Sequence, residues 1–217
     1  IQYNDKEKFA VFNNPVTIKK KEKLIKGNKG KYLEEDDLIQ LKGDIFYEEK
    51  KGKRVIQSKK LVSENRPNDE KIYIFQDDIK IKDDDFVGES DRLESLEKKK
   101  IVYLKGNAFL KDIKKDLFIR SSLITIDEKK DLIYFLGRLN IRQKGKIIQG
   151  SAGVYNKETE IISIQGNPIY KKGRDYATAD KMILNTKTNE VQMIGNLKAN
   201  FFSKKKRKKS KKIIKGK

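Results

Sequence analysis

Carboxylates grouped as Asp36-Asp37, Asp77-Asp78 and Asp83-Asp84-Asp85 are the residues whose types and spacing come nearest to reactive chemistry. Paired acids can share a proton or hold a hard cation through oxygen. Here no base or nucleophile pattern converges on them, and the acids at 83–85 lack the spaced ligands of an EF-hand loop. They read as solvated turn acids. The 217 residues include no Cys and no His, which excludes disulfides, thiolate or imidazole metal ligation, and Cys or His catalysis. No G-x-G-x-x-G or Walker pattern opens a helix to cradle phosphate. The chain is therefore read as a non-enzyme with no cofactor, and its chemistry must be non-covalent.

What recurs is hydrocarbon at a fixed distance from a small or polar pivot. The pivots are Asn13, Gly43, Asp77, Gly106, Gly137, Gly166 and Gly195, spaced by 30, 34, 29, 31, 29 and 29 residues. Four and two positions before them stand Phe9/Val11, Ile39/Leu41, Tyr73/Phe75, Val102/Leu104, Ile133/Phe135, Ile162/Ile164 and Val191/Met193. The same parity continues afterwards in Ile45/Tyr47, Ile79/Ile81, Ala108/Leu110 and Leu139/Ile141, while the intervening positions are mixed. Period-two alternation marks strands with one buried face; a helix would space its apolar residues about 3.6 apart.

Glycine inside a strand marks a bulge or a sharp bend. Asn13 is expected to replace it because Asn tolerates positive φ. Between pivots runs a second strand, as in Leu117–Ile126, Ile148–Tyr155 and Tyr176–Leu184. Polar turns at Glu64–Asp69, Asp127–Asp131, Asn156–Thr159 and Asn185–Asn189 join the strands into hairpins. The repeat predicts an all-β chain of roughly 14 strands, built from hairpins of about 30 residues. One continuous apolar side then gives an elongated sandwich, jelly roll or open barrel.

Such a side has two readings. Ile39, Leu41, Tyr73, Phe75, Val102, Leu104, Ile133, Phe135, Ile162, Ile164, Val191 and Met193 fill a closed core, or they line a trough for alkyl chains. In a trough each buried CH₂ contributes about 0.8 kcal/mol, and many similar weak contacts let a chain slide. Arg120, Arg138, Arg142 and Lys144 are candidates to pair with phosphate at its mouth.

Charge divides the chain. Lys and Arg number 52 against 32 Asp and Glu, a net +20, and ten of the basic residues lie between Ser203 and Lys217, where no acid stands. A run so charged repels itself and cannot bury apolar surface. Residues 1–202 are thus expected to form the folded body and 203–217 a disordered polybasic tail. The tail suits an anionic membrane surface, at about 1 kcal/mol per cation, or the phosphates of nucleic acid. No apolar run approaches the roughly 18 residues of a membrane-spanning helix. The chain begins at Ile1 rather than Met, which points to a removed signal peptide or N-terminal anchor.

The segment Tyr176-Ala-Thr-Ala-Asp-Lys-Met-Ile-Leu184, its turn, and Glu190-Val-Gln-Met-Ile-Gly-Asn-Leu197 resemble a repeat of the LptA/OstA family. Units of that family run A-D-x-φ-x-φ, turn, φ-x-φ-x-G-N-φ, with φ apolar. Similar units at Ser151–Ile169 and Ser90–Leu110 extend the likeness over most of residues 26–200. The resemblance implies a V-shaped β jelly roll in the periplasm, carrying lipopolysaccharide between inner and outer membrane. It implies that lipid A acyl chains ride in the apolar interior, at the positions named above. Its implied partners are other Lpt-type transport components, joined through end strands, and head-to-tail copies of the same chain. The related LptC shares the fold but keeps an N-terminal anchor helix, so soluble and anchored roles both stand. The loop Lys19-Lys-Lys-Glu-Lys23 and the tail depart from the family pattern. Two readings stand beside this one: a nucleic-acid or anionic-surface binder acting through the tail, and a structural β protein that assembles by its edges.

Overall fold

The computed structural model describes residues 2–4, 6, 8–49 and 52–202. The expectation for the tail, 203–217, lies outside the described residues. Strands account for nearly all regular structure, with a single 3₁₀ turn at Pro67–Asp69. The chain opens with β1 (Gln2–Asn4), β2 (Phe9–Phe12), β3 (Val16–Lys20), β4 (Lys23–Gly27) and β5 (Lys29–Leu33). Eight long strands follow: β6 (Leu38–Glu49), β7 (Arg54–Arg66), β8 (Glu70–Lys82), β9 (Phe86–Leu96), β10 (Ile101–Asp112), β11 (Leu117–Asp127), β12 (Leu132–Gln143) and β13 (Lys146–Asn156). Six short ones complete it: β14 (Ile161–Gln165), β15 (Ile169–Lys172), β16 (Asp175–Thr178), β17 (Lys181–Asn185), β18 (Glu190–Ile194) and β19 (Lys198–Asn200).

Each long strand pairs antiparallel with its neighbours in sequence, and the register slips in mid-strand. The slips fall between Lys42 and Ile45, Gln57 and Lys60, Gln76 and Ile79, Lys105 and Ala108, Arg120 and Leu123, and Leu136 and Leu139. A bulge bends its strand and increases the local twist. Bulges aligned on successive strands therefore crease the sheet along one line. One side of the crease, the upper arm, carries 38–42, 60–66, 70–76, 92–96, 101–105, 123–127, 132–136 and 152–156. The lower arm carries 45–49, 54–58, 79–82, 86–90, 108–112, 117–121, 139–143 and 146–150.

At both ends the strands are cut at the crease rather than bent over it. β5 and β4 pair with the two halves of β6, while β14 and β15 pair with the two halves of β13. β2 and β1 extend the upper arm at one end and β17 and β18 at the other. β3 extends the lower arm at one end, and β16 and β19 at the other. Among the described residues these cuts raise the count to 19 strands, above the 14 expected from two per repeat. Asn13-Asn14-Pro15 and Gly166-Asn167-Pro168 occupy two of them, where proline has no N–H for the ladder. Asn13 accordingly does not take positive φ, contrary to the sequence expectation. The glycine pivots lie between +72° and +81° and Asp77 at +63°.

Hydrogen bonds across the crease explain the Asp and Asn of the repeat. Asn107 Nδ2 donates to Asp91 Oδ2 at 2.9 Å, and Asn196 Nδ2 donates to both Asp180 oxygens at 2.9 and 3.1 Å. A Cβ at Gly106 or Gly195 would run into the same aspartates, so those positions need glycine for space as well as for φ. All strands belong to one hydrogen-bonded sheet, creased but not closed. Its inner faces share one apolar core, in which Tyr47 of the lower arm lies 5.3 Å, centroid to centroid, from Tyr73 and Phe75 of the upper. This is an elongated antiparallel jelly roll, one of the forms expected from the alternation, with the V shape that the resemblance implies.

Candidate lipid-binding site

All twelve apolar positions singled out from the repeat fall on the upper arm. Ile39, Leu41, Tyr73, Phe75, Val102, Leu104, Ile133, Phe135, Ile162 and Ile164 point inward and are at most 4% exposed. Val191 and Met193, on β18, are partly buried against the same core. The lower arm supplies the facing wall through residues such as Ile45, Ile81, Leu110, Ile119, Ile141 and Ile148. Depth is graded along each strand. Leu41, Phe75, Leu104, Phe135 and Ile164, two residues before a pivot, pack deep in the crease; the residues four before lie nearer the open side. Tyr73 and Val102 border a cleft of about 510 Å³, and Ile133 a second of about 230 Å³.

The open side carries the hairpin turns of both arms, and charge holds the arms together there. Lys20 Nζ sits 2.9 Å from Asp37 Oδ2, and Lys23 Nζ 2.6 Å from Glu97 Oε2. Lys157 Nζ lies 2.9 Å from Asp85 Oδ2, and Lys115 Nζ 2.7 Å from Glu160 Oε1. Arg54 binds Glu49 at 3.1 Å and Asp83 at 2.7 Å on its own arm and reaches Glu128 on the other. Further along, Gln143 Nε2 donates to the Thr186 carbonyl at 2.9 Å, and Lys146 to that of Asn189.

Two tyrosines connect this row to the apolar interior. Lys23 donates to the Tyr73 hydroxyl at 3.2 Å, and Lys115 to that of Tyr155 at 2.7 Å. Burial pushes the Tyr73 hydroxyl well above its ordinary pKa, and the carboxylate of Glu97 adds to this. Burial works against charge on Arg54, yet Glu128, Glu49 and Asp83 outweigh it and leave the pKa raised. Hydrogen bonds from Lys157 and Lys115 hold Asp85 and Glu160, respectively, below the usual carboxylate range. The row is a strip of matched opposite charges, with apolar side chains beneath.

The cations expected at the mouth from sequence lie mostly elsewhere. Arg120 and Arg142 stand on the outer face of the lower arm, Arg138 on the crease with φ +50°, and Lys144 in the β12–β13 turn. The residues that do close the mouth carry a signal in the alternation. Lys23, Arg54, Lys115 and Lys157 each stand one strand step, two residues, from a buried inward residue: Ile25, Ile56, Leu117 and Tyr155. The acid groups serve the same strip or the crease. Asp37 also binds Lys71, and Asp77 pairs with Lys60. Among the described residues no group of three or more acids is placed to hold a metal ion.

A family model described as LptA/(LptD N-terminal domain) LPS transport protein matches residues 1–132. Among solved structures, that of LptH, the LptA homologous periplasmic component of the lipopolysaccharide transport device from Pseudomonas aeruginosa, is similar at a TM-score of 0.49. Identity to it is 10%, over 54% of this chain and 95% of that one. No curated protein matches the chain.

Proposed function

We propose, because the chain belongs to the LptA/(LptD N-terminal domain) family of LPS transport proteins, that it shields lipid A acyl chains between its two arms as lipopolysaccharide crosses the periplasm. One observation carries the reading: the apolar interior is shut along one side by ion pairs instead of by hydrogen-bonded strands. Partly exposed ion pairs contribute about 0–1 kcal/mol each. An alkyl chain that buries a dozen CH₂ groups gains roughly 10 kcal/mol. Alkyl burial therefore outweighs the opening of several pairs, and a lipid can part the arms where strand pairing would resist.

Entry starts at the larger cleft, whose 510 Å³ falls within the usual range of small-ligand pockets, about 300–1,000 Å³. Tyr73 and Val102 meet the acyl chain first. Ile39, Leu41, Phe75, Leu104, Ile133, Phe135, Ile162, Ile164, Val191 and Met193 then exchange contacts with the facing arm for contacts with the lipid. Lys23, Lys115 and Lys157, released from their carboxylates, pair with phosphate on the head group. The open edges of β1 and β18 on the upper arm, and of β3 and β19 on the lower, accept strands from other transport components or from further copies of the chain.

Photocrosslinking tests this directly. A photoreactive residue at Tyr73, Val102 or Phe135 is expected to capture lipopolysaccharide, whereas one at Tyr103 or Tyr134, which face outward on the same arm, captures none. Equal labelling at inner and outer positions, or none at the inner ones, rejects the shielded route.

A further inference from the structure

The outer face of the lower arm carries a pattern that lipid shielding does not use. Cross-strand pairing places Val55, Lys82, Val87, Lys111, Phe118 and Arg142 side by side in one row. Ile147, Lys171 and Tyr176 continue it. Apolar and cationic residues alternate from strand to strand. With strands about 4.8 Å apart, a cation recurs about every 10 Å. Among the described residues, none of Lys82, Lys111, Arg142 and Lys171 has an ion-pair partner. A parallel row adds Lys80 and Arg120, the latter 5.4 Å over the Phe109 ring, with Glu89 as its acid. Lys111 lies 5.1 Å over Phe118.

The upper arm arranges its outer cations differently. The row of Val62, Ile74, Tyr103, Tyr134, Val154 and Ile183 carries Glu94, and the row nearer the crease carries Lys42, Lys60, Arg92 and Lys105, of which Lys60 pairs with Asp77 while Arg92 and Lys105 share Glu94. Cations interleaved with apolar residues and without carboxylate partners thus mark the lower arm's outer face, and the described residues end on that arm. β19 is that arm's edge, Phe202 N donates to Asp175 Oδ1 at 2.9 Å, and Ser203–Lys217 follows with ten Lys and Arg. Phe201 and Phe202, at this exit, are 58% and 53% exposed.

We propose that this outer face docks on an anionic lipid bilayer. The apolar members of the row decide between polyanions. Val55, Val87 and Ile147 offer nothing to stack on a base, and the Phe118 and Phe109 rings lie under Lys111 and Arg120, whereas nucleic-acid platforms rely on open aromatic stacking. At a membrane interface the same side chains enter the boundary between head groups and acyl chains while the cations meet lipid phosphate. Two weak signals, apolar insertion and attraction between cations and phosphate, together give the firm attachment that one alone does not. Inner and outer residues alternate along the same strands, so docking by the outer face holds the lipid-binding interior beside the bilayer with its mouth unobstructed.

Co-sedimentation of the full chain with vesicles of phosphatidylcholine, with and without phosphatidylglycerol, tests the proposal at about 0.1 M salt. The variant Lys82→Gln/Lys111→Gln/Arg142→Gln/Lys171→Gln is compared with Lys42→Gln/Lys59→Gln/Lys60→Gln/Lys105→Gln, which loses the same charge elsewhere. Circular dichroism and thermal melts establish that both fold. The wild-type chain is expected to bind the anionic vesicles only, the first variant about tenfold or more weaker, and the second within about threefold of wild type. A third variant, Val87→Ser/Phe118→Ser/Ile147→Ser, keeps every charge and is expected to lose anionic-vesicle binding several-fold. Equal losses in the two charge variants overturn the proposal in favour of net charge alone. Unchanged binding in the serine variant, with duplex RNA bound more tightly than vesicles, overturns it in favour of a nucleic-acid surface.

Discussion

Along the inner rim of the lower arm, Lys20, Lys23, Arg54 and Lys115 each meet a carboxylate on the facing arm. On the outer face of the same arm Lys82, Arg142 and Lys171 are exposed, and neither they nor Lys111 meets one. The residue type is the same and the arm is shared, so rim against outer face separates the two sets. Rim cations stand one step beyond the last buried apolar residue, where the second arm is within reach; outer cations have only solvent or an external surface opposite them. Rim charge therefore contributes to holding the molecule shut, whereas outer-face charge remains available to a partner. Mutation, pH and salt should act on them differently.

The sharpest break in the comparison is Arg54→Leu. The Arg54 side chain is 8% exposed and gathers Glu49, Asp83 and Glu128. Removing it takes one shared, largely buried cation from three carboxylates, a change expected to cost about 3–5 kcal/mol. Urea unfolding checks this. A loss below about 1 kcal/mol would place Arg54 with the outer cations, as a solvated charge.

Acid should act next. Asp85 and Glu160 are held below the usual carboxylate range by Lys157 and Lys115. Their contribution is present above the unfolded carboxylate pKa, near 4, and disappears as pH falls through the lowered folded values. Burial opposes charge on Lys115 and Lys157, but their acidic partners leave both pKa values raised. That contribution is complete below the ordinary lysine value, about 10.4, and disappears as pH rises through the raised ones. Stability measured by urea midpoint should thus be level between about pH 5 and pH 10 and fall on the acid side. The Lys115→Gln/Lys157→Gln variant should show a shallower acid fall. An identical acid limb in both proteins would show that these pairs do not contribute.

The alternation revealed one half of this arrangement and concealed the other. The burial of Ile39, Leu41, Tyr73, Phe75 and their repeats on the upper arm was legible because strand parity fixes which side chains share a face. Gly106 and Gly195 marked the crease because only glycine provides both the φ and the space required there. Asn13 misled, since a cut strand with Pro15 beyond it needs no left-handed residue. The mouth was hidden because Lys23 and Glu97, or Lys157 and Asp85, lie 74 and 72 residues apart in sequence; their pairing depends on how the arms are offset across the V. Arg120 and Arg142 read as mouth residues only until parity is followed outward: they alternate with Ile119 and Ile141, which are buried, so they must face away.

Single rim pairs should matter less. Lys157 has 31% of its side chain exposed and Asp85 has 42%, so Lys157→Gln is expected to cost about 0.5–1 kcal/mol. Its signature is local: faster amide hydrogen exchange near Asp85 and Lys157, with Phe118 unchanged. Exchange that quickens evenly along the chain would mean that the pair supports the whole core and not one point of the mouth.

The smallest expected effect on folding belongs to Lys111→Gln, on the outer face. Its ammonium has no carboxylate to lose, and its contact is with the Phe118 ring at 5.1 Å. An exposed cation–π contact contributes about 0.5–1 kcal/mol, and glutamine retains part of the packing over the ring, so stability should change by no more than about 0.5 kcal/mol. Added salt should leave the stability difference between wild type and this variant unchanged, because no ion pair is being screened. It should nonetheless weaken adhesion to anionic vesicles in both proteins. A rim pair such as Lys115–Glu160 should show the opposite: its stability contribution shrinks with salt, and its removal leaves adhesion intact. If Lys111→Gln instead lowers stability as much as Lys157→Gln does, the outer cations hold the fold together and the division between rim and outer face fails.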